Sequence, residues 1–223
     1  MNTEKPYSHP APETRGRTIP WASFYDVVVR VLSLGKMRDI RRAIAELAQI
    51  KPGDRALDIG CGTGDLAMAA KALAGPTVEV FGTDASPKMI EVARRKAAKA
   101  GVDVTFQVDL IENITFPDNH IDVVLSSFMM HHLPDDLKRA GLVEIYRVLK
   151  PGGRILIVDM QSSPGGSLSQ RLADLMIQMH GGHAAMQDNV TKLIPLVQAA
   201  GFTGLETDKI NRQISYIAAK KDF

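Results

Sequence analysis

The chain has 223 residues, 45% of them hydrophobic and 23% charged, which suffices for one large α/β domain and falls short of two comfortable ones. A formal net charge of +2 gives no summed field of the kind that marks a nucleic-acid or membrane binder. A single cysteine, Cys61, excludes an intrachain disulfide, no apolar run approaches the roughly 18 residues of a membrane span, and Met1 to Arg17 lacks the charged-then-apolar order of an export signal, so the expected location is the cytoplasm.

Residues 1–20 carry Pro6, Pro10, Pro12 and Pro20 with little apolar content, and are expected to form a mobile arm, or else a lid that orders over ligand. Residues 21–223 are expected to fold as a single domain. From Trp21 to Leu47 apolar residues recur at helical spacing, interrupted near Gly35, which predicts two helices. Lys36, Arg38, Arg41 and Arg42 cluster on the second and read either as a solvated face or as a contact for an anionic substrate or membrane surface. Five strand-and-helix units in regular alternation are then expected, the pattern of a parallel sheet covered on both faces. The first strand is Arg55–Ile59, followed by a helix from Asp65 to Leu73 that Gly75-Pro76 stops. The second is Val78–Gly82, with Ser86-Pro87 opening a helix that Gly101 closes. Val104–Val108 and Ile121–Ser126 follow. A helix from about Pro134 to Val148 leads through Lys150-Pro-Gly-Gly153 into Arg154–Asp159. Beyond a turn-rich break at Ser162 to Gly166, helices are expected over Leu168 to His180 and Val190 to Ala200, so that residues 160–200 form a helical insert shaping a ligand pocket. Closing strands near Gly204–Lys209 and Ile214–Ala219 complete a seven-stranded, mostly parallel, doubly wound sheet with helices on both faces.

The densest chemical signal is Ala56-Leu-Asp-Ile-Gly-Cys-Gly-Thr-Gly-Asp65, a strand that runs into three alternate glycines and then a helix. Gly60, Gly62 and Gly64 let backbone approach a ligand where a Cβ would clash, and the helix start offers unpaired N–H groups. A dinucleotide fingerprint would place its third glycine three residues after the second, beside a pyrophosphate. Asp65 stands there instead, and Asp58 precedes the turn. Two carboxylates repel pyrophosphate and attract cations, so a ligand bearing an ammonium and a sulfonium fits the charge better. Asp84 ends the second strand, 24 positions beyond Gly60, where an open α/β sheet places an acid for ribose hydroxyls.

This segment resembles motif I of the class I S-adenosylmethionine-dependent methyltransferases. Phe116-Pro-Asp-Asn-His-Ile-Asp-Val-Val and Arg147-Val-Leu-Lys-Pro-Gly-Gly-Arg154 resemble motifs II and III of the small-molecule members, in the right order. The resemblance implies a Rossmann-like methyltransferase fold with S-adenosyl-L-methionine as cofactor and S-adenosyl-L-homocysteine as product. Its implied cofactor residues are Asp58, Gly60, Cys61, Gly62, Gly64, Asp84, Ala85, Asp109, Leu110 and Ser126. Asp109 and Leu110 resemble the pair that brackets adenine, with Ile111 or Glu112 as neighbouring alternatives, because the spacing to Phe116 departs from the common pattern by one residue. Tyr25-Asp26 followed by Leu32-Ser33, and Arg147 to Asp159, are similar to the two signatures of the ubiquinone and menaquinone biosynthesis C-methyltransferases. Val28, Val29, Met37 and Ile40 stand where that family carries Met, Asn, His and Trp, and Asp159 replaces its Glu.

A methyl sulfonium is already an activated electrophile, so alignment of the acceptor carries most of the catalysis. Where the quinone enzymes carry Phe-Gly-Leu-Arg-Asn after the fourth strand, this chain has Phe128-Met-Met-His-His132, which puts His131 and His132 at the polar pair facing the acceptor. His131, His132 and Tyr25 are the expected catalytic residues, a histidine there acting as base or orienter near neutral pH. Met129, Met130, Met160, Met176, Met179 and Met186 would supply an adaptable apolar wall or simply core packing. His180 and His183 have metal-like separation but no third ligand, so no metal is expected. The run Ser127-Phe-Met-Met130 is unlike that of base amino-methyltransferases, so nucleic acid is not an expected partner. The expected activity is methyl transfer to a small, lipophilic or aromatic acceptor. A phospholipid amine N-methyltransferase with peripheral membrane contact, and a non-catalytic S-adenosylmethionine-binding protein, are the alternatives.

Overall fold

A computed structural model of the chain describes Thr14, Gly16, residues 35–160 and residues 190–223. Helix α1, Met37–Leu47, presents Ile44 and Ala45 to the core and Arg38 and Arg42 outward. Strand β1, Arg55–Ile59, then leads into α2, Asp65–Ala74, which ends at Gly75. Strand β2 is Glu79–Asp84 and α3 is Pro87–Ala100. Ser86 caps α3 by accepting a hydrogen bond from the Met89 amide, Pro87 occupies its first turn, and Gly101 ends it in the left-handed conformation with φ of 64°, as punctuation of this kind dictates. Strand β3 is Thr105–Val108, β4 is Ile121–Ser127, α4 is Asp135–Val148 and β5 is Leu149–Met160. A short 3₁₀ turn, Val190–Leu193, runs into α5, Ile194–Ala199, and β6, Thr203–Asn211, and β7, Ile214–Lys220, close the chain.

The seven strands lie in the order β3-β2-β1-β4-β5-β7-β6, parallel from β3 to β5, with β7 antiparallel to β5 and β6 antiparallel to β7. Strand order reverses beside β1, so the tips of β1 and β4 diverge and leave a crevice at their carboxyl ends, where open α/β sheets bind ligands. Side chains alternate across the sheet with period two. Ala56, Val123, Leu125, Leu156 and Val158 pack under α1, α2 and α3. Leu57, Ile59, Val124, Ile155 and Ile157 pack under α4 and α5, with Leu142, Ile145 and Val197.

Two expectations are corrected. The alternation of strands and helices breaks after β3, where residues 109–120 form a loop with an isolated bridge between Leu110 and Asn113. Arg147 of α4 holds that loop: it donates to the Ile114 carbonyl at 2.7 Å, the Phe116 carbonyl at 3.0 Å, the Asp118 carboxylate at 2.7 Å and Glu144 at 2.7 and 2.8 Å. A side chain that satisfies two loop carbonyls removes the need for a helix to satisfy them. The second correction concerns Lys150-Pro-Gly-Gly153, placed ahead of a strand expected to begin at Arg154. Leu149 already pairs with Ile121, and an irregularity between Ile121 and Val123 absorbs the intervening residues, so β5 starts earlier. The expected helices over Trp21 to about Gly35 and Leu168 to His180, the pocket-shaping role of residues 160–200, and the arm apart from Thr14 and Gly16 lie outside the described residues.

The Arg147 hydrogen bonds hold the Glu144 carboxyl below its ordinary pKa, against the opposing effect of burial. A depressed carboxyl contributes stability above its unfolded pKa of about 4.3 that is lost as pH falls through the folded value. Arg147→Met is expected to lower unfolding free energy by about 2–3 kcal/mol, the scale of lost bonds to a charged group, and to make the loss of stability below about pH 4 shallower; urea unfolding across pH measures both.

Candidate functional site

The crevice is floored by the turn between β1 and α2. Gly60, Gly62 and Gly64 have φ of 69°, 53° and 81°, the left-handed region that glycine alone enters cheaply. Their surroundings differ. A Cβ on Gly64 would stand 2.6 Å from the Phe106 ring, and one on Gly60 would strike Met129, so both are held by packing. A Cβ on Gly62 would meet nothing within 4 Å, because it would project into the open pocket. The turn is pinned to β2 by Cys61 N–H donating to the Thr83 carbonyl at 2.9 Å and Gly62 N–H donating to Asp84 Oδ2 at 2.9 Å. Asp84 Oδ1 accepts from the Ser86 amide at 2.8 Å. Each Asp84 oxygen thus keeps acceptor capacity toward the pocket. Burial raises the Asp84 pKa, offset in part by those two amides.

Of the expected cofactor residues, Gly60, Cys61, Gly62, Asp84, Ala85, Asp109 and Leu110 line this pocket. Asp58 does not. It lies beneath the turn at 1% exposure, and burial raises its pKa to about 8, with the Ala67 amide and the Arg41 charge opposing the rise and Asp84 adding to it. Ser126 is also absent from the wall: it is buried on the α4 side with its hydroxyl unbonded, while Ser127 faces the pocket, since one step along a strand reverses the face. Asp109 spends its carboxylate internally, accepting from Leu110 N at 3.1 Å, Thr115 N at 3.0 Å, Thr115 Oγ1 at 2.9 Å and Gln107 Nε2 at 3.4 Å. Three of those donors converge on Oδ2, while Oδ1 accepts the Leu110 amide alone and keeps a lone pair. Glu112, named as an alternative, is also on the wall; its Oε1 accepts from Thr14 Oγ1 at 3.3 Å, and its buried Oε2 has no partner among the described residues.

Beyond β4 the two histidines part. His132 lines the glycine-turn pocket with Met129 and Leu133. His131 faces a second cavity with Met130, Asp159 and Leu196. Its ring Nδ1 is 2.6 Å from Asp159 Oδ1, and its backbone N–H donates to Asp159 Oδ2 at 3.1 Å. The two imidazoles nevertheless touch, with ring centroids 4.0 Å apart. Phe128 has φ of 53°, a costly conformation for an aromatic residue, and it too lines the pocket. Nothing in the one-dimensional pattern signals that strain. Arg41 was visible only as part of a basic helix face; in the fold it joins the wall and pairs with Asp65. Tyr25, Met176, Met179, Met186, His180 and His183 lie outside the described residues. Among the described residues no helix is long and apolar enough to cross a membrane.

Residues 56–153 match the family described as methyltransferase domain. The ubiquinone/menaquinone biosynthesis C-methyltransferase UbiE of Ectopseudomonas mendocina is 39% identical over 155 residues, 69% of this chain and 59% of that protein. The demethylmenaquinone methyltransferase of Thermus thermophilus is 40% identical over 144 residues, 64% of each chain. The chain therefore spans about three fifths of the length of these curated relatives. Among solved structures, a SAM-dependent methyltransferase from Aquifex aeolicus superposes with a TM-score of 0.69 at 18% identity, covering 87% of this chain and 97% of that one. The [4+2]-cyclase SpnF superposes with a TM-score of 0.68 at 18% identity, covering 83% of this chain and 80% of that one. At such identities the likeness establishes the fold alone, and the cyclase shows that this fold carries more than one chemistry.

Two outcomes are expected. Because the folded Asp58 pKa lies above the unfolded one, the folded chain holds a proton that the unfolded chain releases, and stability should fall as pH rises from about 4 through about 8. Asp58→Asn should flatten that decline, as read by urea midpoints at successive pH values. Gly62→Val should leave the circular dichroism of the fold, cost about 1–2 kcal/mol of stability for its left-handed residue, and block the pocket to adenosine ligands.

Proposed function

This chain belongs to the class I S-adenosylmethionine-dependent methyltransferases, and from that premise we propose that it transfers the methyl group of S-adenosyl-L-methionine to a small, apolar or aromatic acceptor, releasing S-adenosyl-L-homocysteine. The observation that carries the reading is the coupling of Asp84 to the glycine turn, which leaves a desolvated carboxylate beside a floor that no side chain occupies. Asp84 accepts the ribose hydroxyls. Glu112 Oε2, buried and without a partner among the described residues, accepts from the adenine amine in preference to Asp109, which already accepts from Leu110, Thr115 and Gln107, with Leu110 against the ring. Three of the pocket's carboxylates, Asp84, Asp109 and Glu112, disfavour a pyrophosphate and suit a cationic ligand.

The bound cofactor supplies an electrophilic methyl group, so the chain needs only to align, desolvate and, for a protic acceptor, deprotonate. Phe128, Met129 and Leu133 give an apolar wall that excludes water and takes a ring or short chain. The relatives named for quinone biosynthesis support an aromatic acceptor. His132 faces the acceptor and orients it or takes its proton. His131, clamped by Asp159 through both its ring and its backbone, positions the turn that carries His132.

Incubation with methyl-labelled S-adenosylmethionine and a panel of phenols, hydroquinones and phospholipid amines tests the proposal; label in an aromatic product is expected, and label in phospholipid alone would select the amine reading. By calorimetry Asp84→Ala should lose about 1–3 kcal/mol of S-adenosylhomocysteine binding. His132→Ala should lower turnover by roughly 10²–10⁴-fold with cofactor affinity within a few-fold if it is the base. His131→Ala should cost less. Equal losses at the two positions would reassign the base to the pair.

A further inference from the structure

The short turn beyond β4, from Met129 to Leu133, separates two cavities of opposite charge. On the glycine-turn side, Asp65, Asp84, Asp109 and Glu112 stand against one arginine or lysine among the described residues, Arg41. On the other side the balance is reversed: Lys138, Arg139 and Lys192 stand with His131 against Asp135 and Asp159. Both of those carboxylates are already engaged within the chain. Asp135 accepts from Lys138 Nζ at 3.1 Å. Asp159 Oδ1 accepts from the Met160 N–H at 2.8 Å and lies 2.6 Å from His131 Nδ1, while Oδ2 accepts from the His131 N–H at 3.1 Å. Lys138 is buried, with its side chain 4% exposed, whereas the Asp135 side chain is 69% exposed, so water screens the carboxylate far more than the ammonium. Arg139 and Lys192 come from two elements, α4 and the 3₁₀ turn before α5, and both are exposed. Helix α4 begins at this cavity with Asp135, which brings the positive end of its dipole there as well.

We infer that this second cavity seats an anionic group carried by the methyl acceptor, a carboxylate or a phosphate monoester, so that the acceptor is an aromatic acid and not a neutral ring. The inference rests on the methyl-transfer reading proposed above and names the substrate class within it. Placement makes the acceptor the source of the anion. The cavity lies at the carboxyl ends of β4 and β5, and His131 on its wall touches His132, which faces the other cavity, with ring centroids 4.0 Å apart. The anion and the atom to be methylated thus sit on the two sides of one short turn. A cationic cofactor on the acidic side and an acidic acceptor on the basic side also keep the two ligands from exchanging places, since each meets like charge in the other's cavity. Arg139 supplies a planar fork that matches a carboxylate or phosphate, and buried Lys138 supplies a point charge that little water screens.

Nuclear magnetic resonance titration of the full chain, with and without S-adenosylhomocysteine, tests this with 4-hydroxybenzoate, 4-hydroxyphenyl phosphate and the neutral 4-hydroxybenzamide. The wild type should bind an anionic probe about 10- to 100-fold more tightly than the amide, the usual scale for charge-assisted bonds. The double variant Arg139→Met, Lys192→Met should erase that preference, while its affinities for the amide and for S-adenosylhomocysteine stay within about threefold of wild type. Arg95→Met with Lys99→Met removes the same charge from exposed positions on α3 and should keep the preference. Thermal melts establish that each variant is folded. A preference confined to one anion identifies the acceptor's acid as carboxylate or phosphate. The inference is overturned if the wild type shows no preference, whether it binds all three probes or none, if the preference survives in the Arg139 and Lys192 variant, or if the α3 variant loses it equally. Inorganic phosphate binding as tightly as the aryl phosphate would mark a site for a free anion and overturn the assignment to the acceptor. Failure to bind S-adenosylhomocysteine while the anion preference holds would contradict the cofactor reading alone.

Discussion

The ligand end of the sheet depends on the attachment of the Gly60–Gly64 turn to β2. Cys61 and Gly62 give their amides to Thr83 and Asp84, and the Asp84 carboxylate gives its other oxygen to Ser86 at the start of α3. One side chain therefore sets the relative position of two βα turns. Glycine is required twice over for packing, at Gly60 and Gly64, and once for emptiness, at Gly62. Were the turn to move, Met129 and Phe106 would lose their seats, and with them the loop beyond β4 and the edge strand β3. Shape and chemistry of the crevice are thus consequences of the same few backbone bonds.

The crevice concentrates desolvated acid. Asp58 is pushed to about pKa 8 by burial under the turn, and burial raises Asp84 as well. Holding the Asp84 carboxylate away from water costs stability, and that cost is offset where a ligand supplies hydrogen-bond donors. Arg147 works in the opposite sense at the other end of the sheet, where it links the loop after β3 to α4. The two conspicuous sequence runs around Phe116 and Arg147 are therefore one structural unit, carrying the strand that delivers His131 and His132.

The strand cores, the two glycine stops and the Ser86-Pro87 start were legible because each depends on local chemistry: short apolar runs, left-handed turns and a capping hydroxyl. The loop after β3 was not legible as a loop, since the group that holds it, Arg147, lies some thirty residues on. Single-residue facing was the other limit. Ser127 rather than Ser126, and His132 rather than His131, face the glycine turn, because a strand end or a 3₁₀ turn reverses a side chain in one step. The hydrogen bonds that Thr115 and Gln107 give to Asp109 likewise come to light only in the folded loop. The signals for ligand class survived these shifts, since they rest on charge and glycine spacing and not on the direction of any one side chain.

A crystal structure of the chain with S-adenosylhomocysteine tests the central claim most directly, that the Asp84-anchored glycine turn is the floor of a nucleoside site. The account predicts ribose hydroxyls within hydrogen-bonding distance, about 2.5–3.0 Å, of Asp84, the chain of the ligand crossing Gly62, and the adenine amine toward Glu112. A ligand seated in the cavity beside His131 and Asp159, with Asp84 left to its two backbone amides, would contradict it.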